Sequence, residues 1–104
     1  SLAPFTSGDF RMDFATRQVR VGPRNVKLTP IEFHLLSLLV KNAGRIVPYR
    51  ALLTNVWGPE HSEATDYLKV HIQHLRRKLG DDLPSPRLIV TERKAGYRFV
   101  PPVA

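Results

Sequence analysis

Leu28-Thr29-Pro30-Ile31-Glu32-Phe33 is where the hydrophobic period of this chain changes, and the fold turns on reading it. Thr29 is suited to an N-cap, Pro30 to the first helical position, and Glu32 stands at N3, where it closes a capping box. Leu28 and Phe33 are spaced for a hydrophobic staple across that start. The apolar residues that follow, Phe33, Leu35, Leu36, Leu38, Leu39 and Val40, leave little of the helix surface polar. A helix apolar nearly all round is a central one. Asn42-Ala43-Gly44 should end it, with Gly44 in the left-handed C′ position.

Upstream of this helix the period is two. Phe10-Arg11-Met12-Asp13-Phe14 and Val19-Arg20-Val21 alternate apolar with polar, separated by turn-rich segments such as Gly22-Pro23-Arg24-Asn25. Residues 5–28 therefore read as a small antiparallel sheet with one buried face. Downstream, Ile46-Val47 is a short extended piece, and residues 49–56 form a second helix whose Leu52, Leu53 and Val56 face the core. Trp57 sits at its end and Gly58-Pro59 stops it. A polar loop over residues 60–64 leads into a third helix, starting at Ser62 or Thr65 and ending at Leu79. After Gly80-Asp81-Asp82 and Pro84-Ser85-Pro86, strands over 88–91 and 97–100 flank the turn Glu92-Arg93-Lys94-Ala95-Gly96. The class is α+β: an N-terminal sheet, three helices and a C-terminal hairpin. Short helices ahead of a basic one fit a helix-turn-helix variant, and the basic hairpin fits a wing.

A chain of 104 residues, 42% of them hydrophobic, can build one core but not two. The expectation is one domain over 1–104, divided into sheet (1–28), three-helix core (29–79) and wing region (80–104). Without an apolar run of 18 residues, no membrane span is expected. Ser1-Leu2-Ala3-Pro4 lacks the basic and apolar segments of a signal peptide. The absence of cysteine excludes disulfides and thiolate metal sites and is compatible with the cytoplasm. Sixteen Lys and Arg against nine Asp and Glu leave a net charge of +7, which favours nucleic acid as partner.

Where that charge lies narrows the choice. At 100° per residue, Leu68, Ile72, Leu75 and Leu79 fall within about 60° of each other. The opposite face carries Asp66, Lys69, Val70, Gln73, His74 and Arg77. Gln pairs bidentately with adenine, Lys and Arg reach guanine or phosphate, and Val meets a thymine methyl. An ordinary solvated helix would show a similar pattern, so a second basic element has to decide. Arg93 and Lys94 supply it at the hairpin tip, with Arg98 nearby, shaped for the negative potential of a minor groove. Thr91 is placed to donate to a phosphate.

These segments together resemble the C-terminal winged-helix effector domain of OmpR/PhoB-type response regulators of bacterial two-component systems. The resemblance covers roughly residues 8–101. It rests on Leu28-Thr29-Pro30-Ile31-Glu32-Phe33 with Leu35-Leu36, Asn42-Ala43-Gly44, Leu52-Leu53 through Val56-Trp57-Gly58, His71-Ile72 with Leu75-Arg76-Arg77-Lys78-Leu79, and Gly96-Tyr97-Arg98-Phe99. Tyr67-Leu68, Trp57-Gly58-Pro59 and Pro86-Arg87 are similar to the potassium-operon branch of that family. The resemblance implies a four-stranded N-terminal sheet, a domain that binds duplex DNA as direct repeats, and an upstream receiver domain phosphorylated by a sensor kinase. It implies base contacts from Tyr67, Lys69, Val70, Gln73 and His74, with Arg93 in the minor groove. His71, Arg76, Thr91 and Tyr97 would contact the DNA backbone, and Arg77, which lies on the polar face of the third helix, joins them in that expectation. The loop 58–65 would be a contact for RNA polymerase. Three departures stand out: Gln73 and His74 where many relatives carry Arg, Pro48 at a position usually held by a capping Ser or Thr, and Lys94-Ala95 where glycine is frequent.

Other constellations read as structural. His71 and His74 lie three apart on a helix, but no third ligand is near, so they are expected at DNA rather than at a metal. Asp81-Asp82 and Glu60 with Glu63 are loop acids without a pocket signature, so no catalytic residue and no cofactor is expected. Trp57 and Phe33 read as core.

Overall fold

In the computed structural model, residues 3–102 are described; Ser1 and Leu2, where the N-terminal reading begins, and residues 103–104 lie outside them. Four short strands come first: β1 (Phe5–Ser7), β2 (Phe10–Asp13), β3 (Gln18–Val21) and β4 (Arg24–Val26). They pair antiparallel in the order β1-β2-β3-β4. The register places Phe5, Met12, Val19 and Val26 side by side on one face. That row faces the core, with Met12 and Val19 almost wholly buried. The opposite row, Thr6, Arg11, Arg20 and Asn25, is exposed. The expected long turn over 22–25 is narrower than the composition suggested. Val21 pairs with Arg24, so Gly22 and Pro23 form the whole loop. Gly22 takes φ +59, the positive φ that a two-residue hairpin requires at its first position.

Helix α1 (Pro30–Lys41) begins as its capping box dictates. Thr29 Oγ1 accepts from the Glu32 backbone N–H at 3.2 Å, and Glu32 Oε1 accepts from the Thr29 N–H at 2.9 Å. Its other end differs from expectation by one position. Asn42 is the C-cap, and Gly44, left-handed at φ +84, lies two residues beyond rather than at C′. There the Gly44 N–H donates to Phe99 O at 2.8 Å, tying the end of α1 to the last strand.

The extended piece after α1 is a strand, β5 (Ile46–Pro48), and it leads directly into α2 (Tyr49–Trp57). Pro48 serves as N-cap with no side-chain bond, as its lack of a capping group requires. The polar loop contains a 3₁₀ turn, Pro59–His61, and α3 starts at Thr65, the later of its two expected positions, and runs to Leu79. Strands β6 (Ile89–Glu92) and β7 (Gly96–Phe99) sit one residue away from their expected bounds. They do not stand alone as a hairpin. The order β5-β7-β6 makes β7 the middle of a three-stranded sheet. Phe5, Phe10 and Phe99 then pack ring against ring, with centroids 5.0–6.1 Å apart, and join the two sheets through one core.

Candidate nucleic-acid interface

Helix α3 buries Leu68, Ile72, Leu75 and Leu79, none more than 2% exposed, which is the apolar stripe that the wheel defined. Those contacts turn the other face outward. Asp66, Lys69, Val70, Gln73, His74 and Arg77 are all exposed. Tyr67 and Val70 are 47% and 50% exposed, unusually open for apolar side chains on a packed helix. Lys69, Gln73 and Arg77 make no side-chain hydrogen bond or ion pair among the described residues. Their donors and acceptors are free for a ligand.

Tyr67 and His71 belong to an aromatic ladder that continues from α2. Trp57 lies 5.1 Å from the Tyr67 ring and 5.0 Å from His71, and the Tyr67 and His71 rings are 4.6 Å apart. His71 Nδ1 is 3.0 Å from Tyr67 O, which sets the ring's direction on the helix. Trp57 is therefore half core and half support for the outward face, more than the core role read for it. No group of three or more potential metal ligands is found among the described residues.

The hairpin tip projects Arg93, Lys94 and Ala95 into solvent. Ala95 N–H donates to Glu92 O at 2.9 Å and closes the turn, and Lys94 takes φ +65. Lys94 thus adopts the left-handed conformation that glycine adopts freely, and the turn survives the substitution at a cost of about 1–2 kcal/mol. Behind the tip, Arg98 Nε donates to Glu92 Oε2 at 2.7 Å, which pairs part of its charge within the hairpin. Tyr49, Thr65, Lys69, Thr91, Arg93 and Lys94 line a cleft between α3 and the hairpin. One basic cleft therefore joins the reading face to the wing.

Two expected backbone contacts sit differently. Tyr97 is 3% exposed, its ring 5.4 Å from Tyr49 and under the Arg76 guanidinium at 5.7 Å. Burial raises the pKa of its phenol, so it remains a protonated donor at neutral pH. Arg76 is 6% exposed and points inward. Its Nε and Nη2 donate to Ile89 O at 3.0 and 2.7 Å, and Nη2 also donates to Thr91 Oγ1 at 2.9 Å. Burial lowers its pKa, opposed by Tyr97 and Asp81, and the guanidinium stays charged. At 100° per residue Arg76 lies at the border of the apolar stripe; its inward direction comes from the strand packed against it.

Sequence reasoning missed Asp81. It is 2% exposed, and its carboxylate accepts from the backbone N–H groups of Arg87, Leu88 and Ile89 at 2.7, 3.0 and 2.9 Å. Gly80, left-handed at φ +75, ends α3 and lets the chain turn so that Asp81 N–H reaches Arg76 O. The Gly-Asp pair after the helix carried that signal, but an Asp in a loop reads equally as a solvent-facing group.

Residues 23–99 match the family "Transcriptional regulatory protein, C terminal". The chain is 46% identical over 92 residues to the KDP operon transcriptional regulatory protein KdpE of Escherichia coli (strain K12), covering 88% of this chain and 41% of that one. It is 42% identical over 90 residues to KdpE of Mycobacterium tuberculosis (strain CDC 1551 / Oshkosh), covering 86% and 40%. The chain thus spans about two fifths of the length of these relatives. The crystal structure of the Klebsiella pneumoniae RstA DNA-binding domain in complex with RstA box superposes with a TM-score of 0.87 at 36% identity, covering 94% of this chain and 97% of that one. Superposition and sequence agree, and the chain belongs to the family of C-terminal domains of transcriptional regulatory proteins, of the OmpR/PhoB response-regulator type.

Proposed function

We propose that this domain binds duplex DNA sequence-specifically and is the output half of a two-component response regulator that controls transcription. The observation that carries this reading is the unpartnered outward face of α3 beside the basic cleft it shares with the wing. Tyr67, Lys69, Val70, Gln73 and His74 meet base edges in a major groove, and Arg93 enters the adjoining minor groove. His71, Arg77 and Thr91 serve the phosphates, while Tyr97, expected with them, is 3% exposed and packs behind them. Arg76, expected among these, is buried and faces Ile89 instead. Gln73 and His74 replace arginines with groups that select differently among bases, so the preferred site should be this protein's own.

The finer parts of the reading follow from the family. The domain works in the cytoplasm, occupies direct repeats and is preceded in the whole protein by a receiver domain answering a sensor kinase. Loop 58–65, where Glu60 and Glu63 are exposed, offers an acidic surface to RNA polymerase. Selection of sites from a random duplex pool at moderate salt tests the core of the proposal. One short motif recovered as a spaced direct repeat supports it. A pool that stays random reduces the basic face to phosphate binding without readout and makes α3 a protein-docking surface instead.

A further inference from the structure

Strand β6 is the edge of its sheet, since β7 lies between it and β5. In the antiparallel register, Val100 N–H donates to Leu88 O, so the backbone groups of Ile89 and Thr91 point away from β7. An edge of this kind ordinarily faces water or another strand. Here side chains from the end of α3 fill it. Asp81 accepts the Ile89 N–H and Arg76 donates twice to the Ile89 C=O, so one residue of the wing is gripped at both backbone groups. The same Nη2 that reaches Ile89 O also donates to Thr91 Oγ1. A hydroxyl that accepts from Arg76 has its own O–H left to donate, and Thr91 is exposed on the wall of the cleft.

We propose that Arg76 is a positioning residue for DNA reading: it locks the wing to the recognition helix through Ile89 and orients the Thr91 hydroxyl toward a phosphate. This rests on the DNA-binding reading above. It differs from the direct backbone contact that the resemblance implied. A guanidinium only 6% exposed, with Nε and Nη2 committed inward, presents little surface to DNA, whereas an ordered hydroxyl and a fixed wing angle lower the entropy lost on binding. Lysine is a poor substitute, because it lacks the planar fork in which Nε and Nη2 together clasp Ile89 O and so aim Nη2 at Thr91 Oγ1.

The test is a double-mutant cycle on this chain, using the duplex that the wild type selects. Binding is read by fluorescence anisotropy across a salt series, with melting recorded for each variant. Arg76→Lys keeps the charge and should weaken binding about tenfold with an unchanged salt slope. In a Thr91→Val background the same change should cost no more than about threefold, because the hydroxyl it orients is gone. Additive losses overturn the proposal. So does Arg76→Lys binding as tightly as wild type while Arg76→Met lowers the salt slope by about one, the mark of a direct phosphate contact. Should Arg76→Lys not fold, Thr91→Ser and Thr91→Val decide: serine near wild type with valine weakened supports the oriented hydroxyl, and valine equal to wild type refutes it. If the wild type selects no motif, the DNA-binding reading fails and this inference falls with it; if it selects one, the cycle judges Arg76 alone.

Discussion

Lys69 and Gln73 stand on successive turns of α3 with free polar ends and no competing partner among the described residues, and the proposed function assigns a base edge to each. Lys69→Ala or Gln73→Ala should each cost about 1–3 kcal/mol of binding and relax preference at particular base pairs. Repeating the site selection with each variant checks this; an unchanged motif in both would show that these residues do not read bases. Arg93 acts differently, as a cation on a hairpin tip. Arg93→Ala should lower affinity across sequences and reduce the slope of log K against log salt by about one, with the major-groove motif kept. These side chains were legible because helical periodicity alone separates an exposed polar face from a buried stripe. The inward turn of Arg76 was not, because a position at the border of a stripe faces outward or inward according to what packs there.

At the scale of the element, the start of α1 carries more than one duty. Glu32 closes the capping box and also accepts from Lys78 Nζ of α3 at 2.6 Å, so a local signal is joined to a contact 46 residues away. Burial works to raise the pKa of Glu32, but the hydrogen bonds and charge of Lys78 and the bonds from Thr29 outweigh it and hold the carboxyl below its usual 4.5. A carboxyl held down on folding stabilises the native state above pH 4.5, and that stabilisation is lost as pH falls through the lower folded value. Wild type should therefore lose stability below pH 4.5 more steeply than Glu32→Gln, as urea titrations at pH 3.5, 4.5 and 7 would show; parallel losses would remove the pair from the account. Thr29→Ala removes the other half of the box and should cost about 1 kcal/mol, seen as a melting temperature lower by roughly 4–8 °C. Both effects concern the domain's stability rather than its DNA contacts.

For the whole molecule, the wing depends on a strand that the sequence shows only as Ile46-Val47. Strand β5 lies against β7 so closely that a Cβ on Gly96 would be 2.0 Å from Val47 O. Backbone cannot withdraw as a flexible side chain can, so Gly96→Ala should destabilise toward the upper part of the usual 1–3 kcal/mol of overpacking and loosen the wing. Calorimetry together with the anisotropy assay would check it, and a variant that melts and binds like wild type would show that the strands part at little cost. The amino-acid sequence by itself determined the order of elements, the capping of α1, the buried stripe of α3 and the net positive charge that favours an acidic partner. Each of these follows from a period, a cap or a charge balance, all of which act over a few residues or over the whole composition. Only the tertiary structure decided that β5 joins the hairpin, that Asp81 and Arg76 cap the edge of β6, and that Thr91 is left with a free donor. Those outcomes depend on which distant backbone groups meet, and hydrogen-bond partners between segments 8–15 residues or more apart leave no period in the sequence to read.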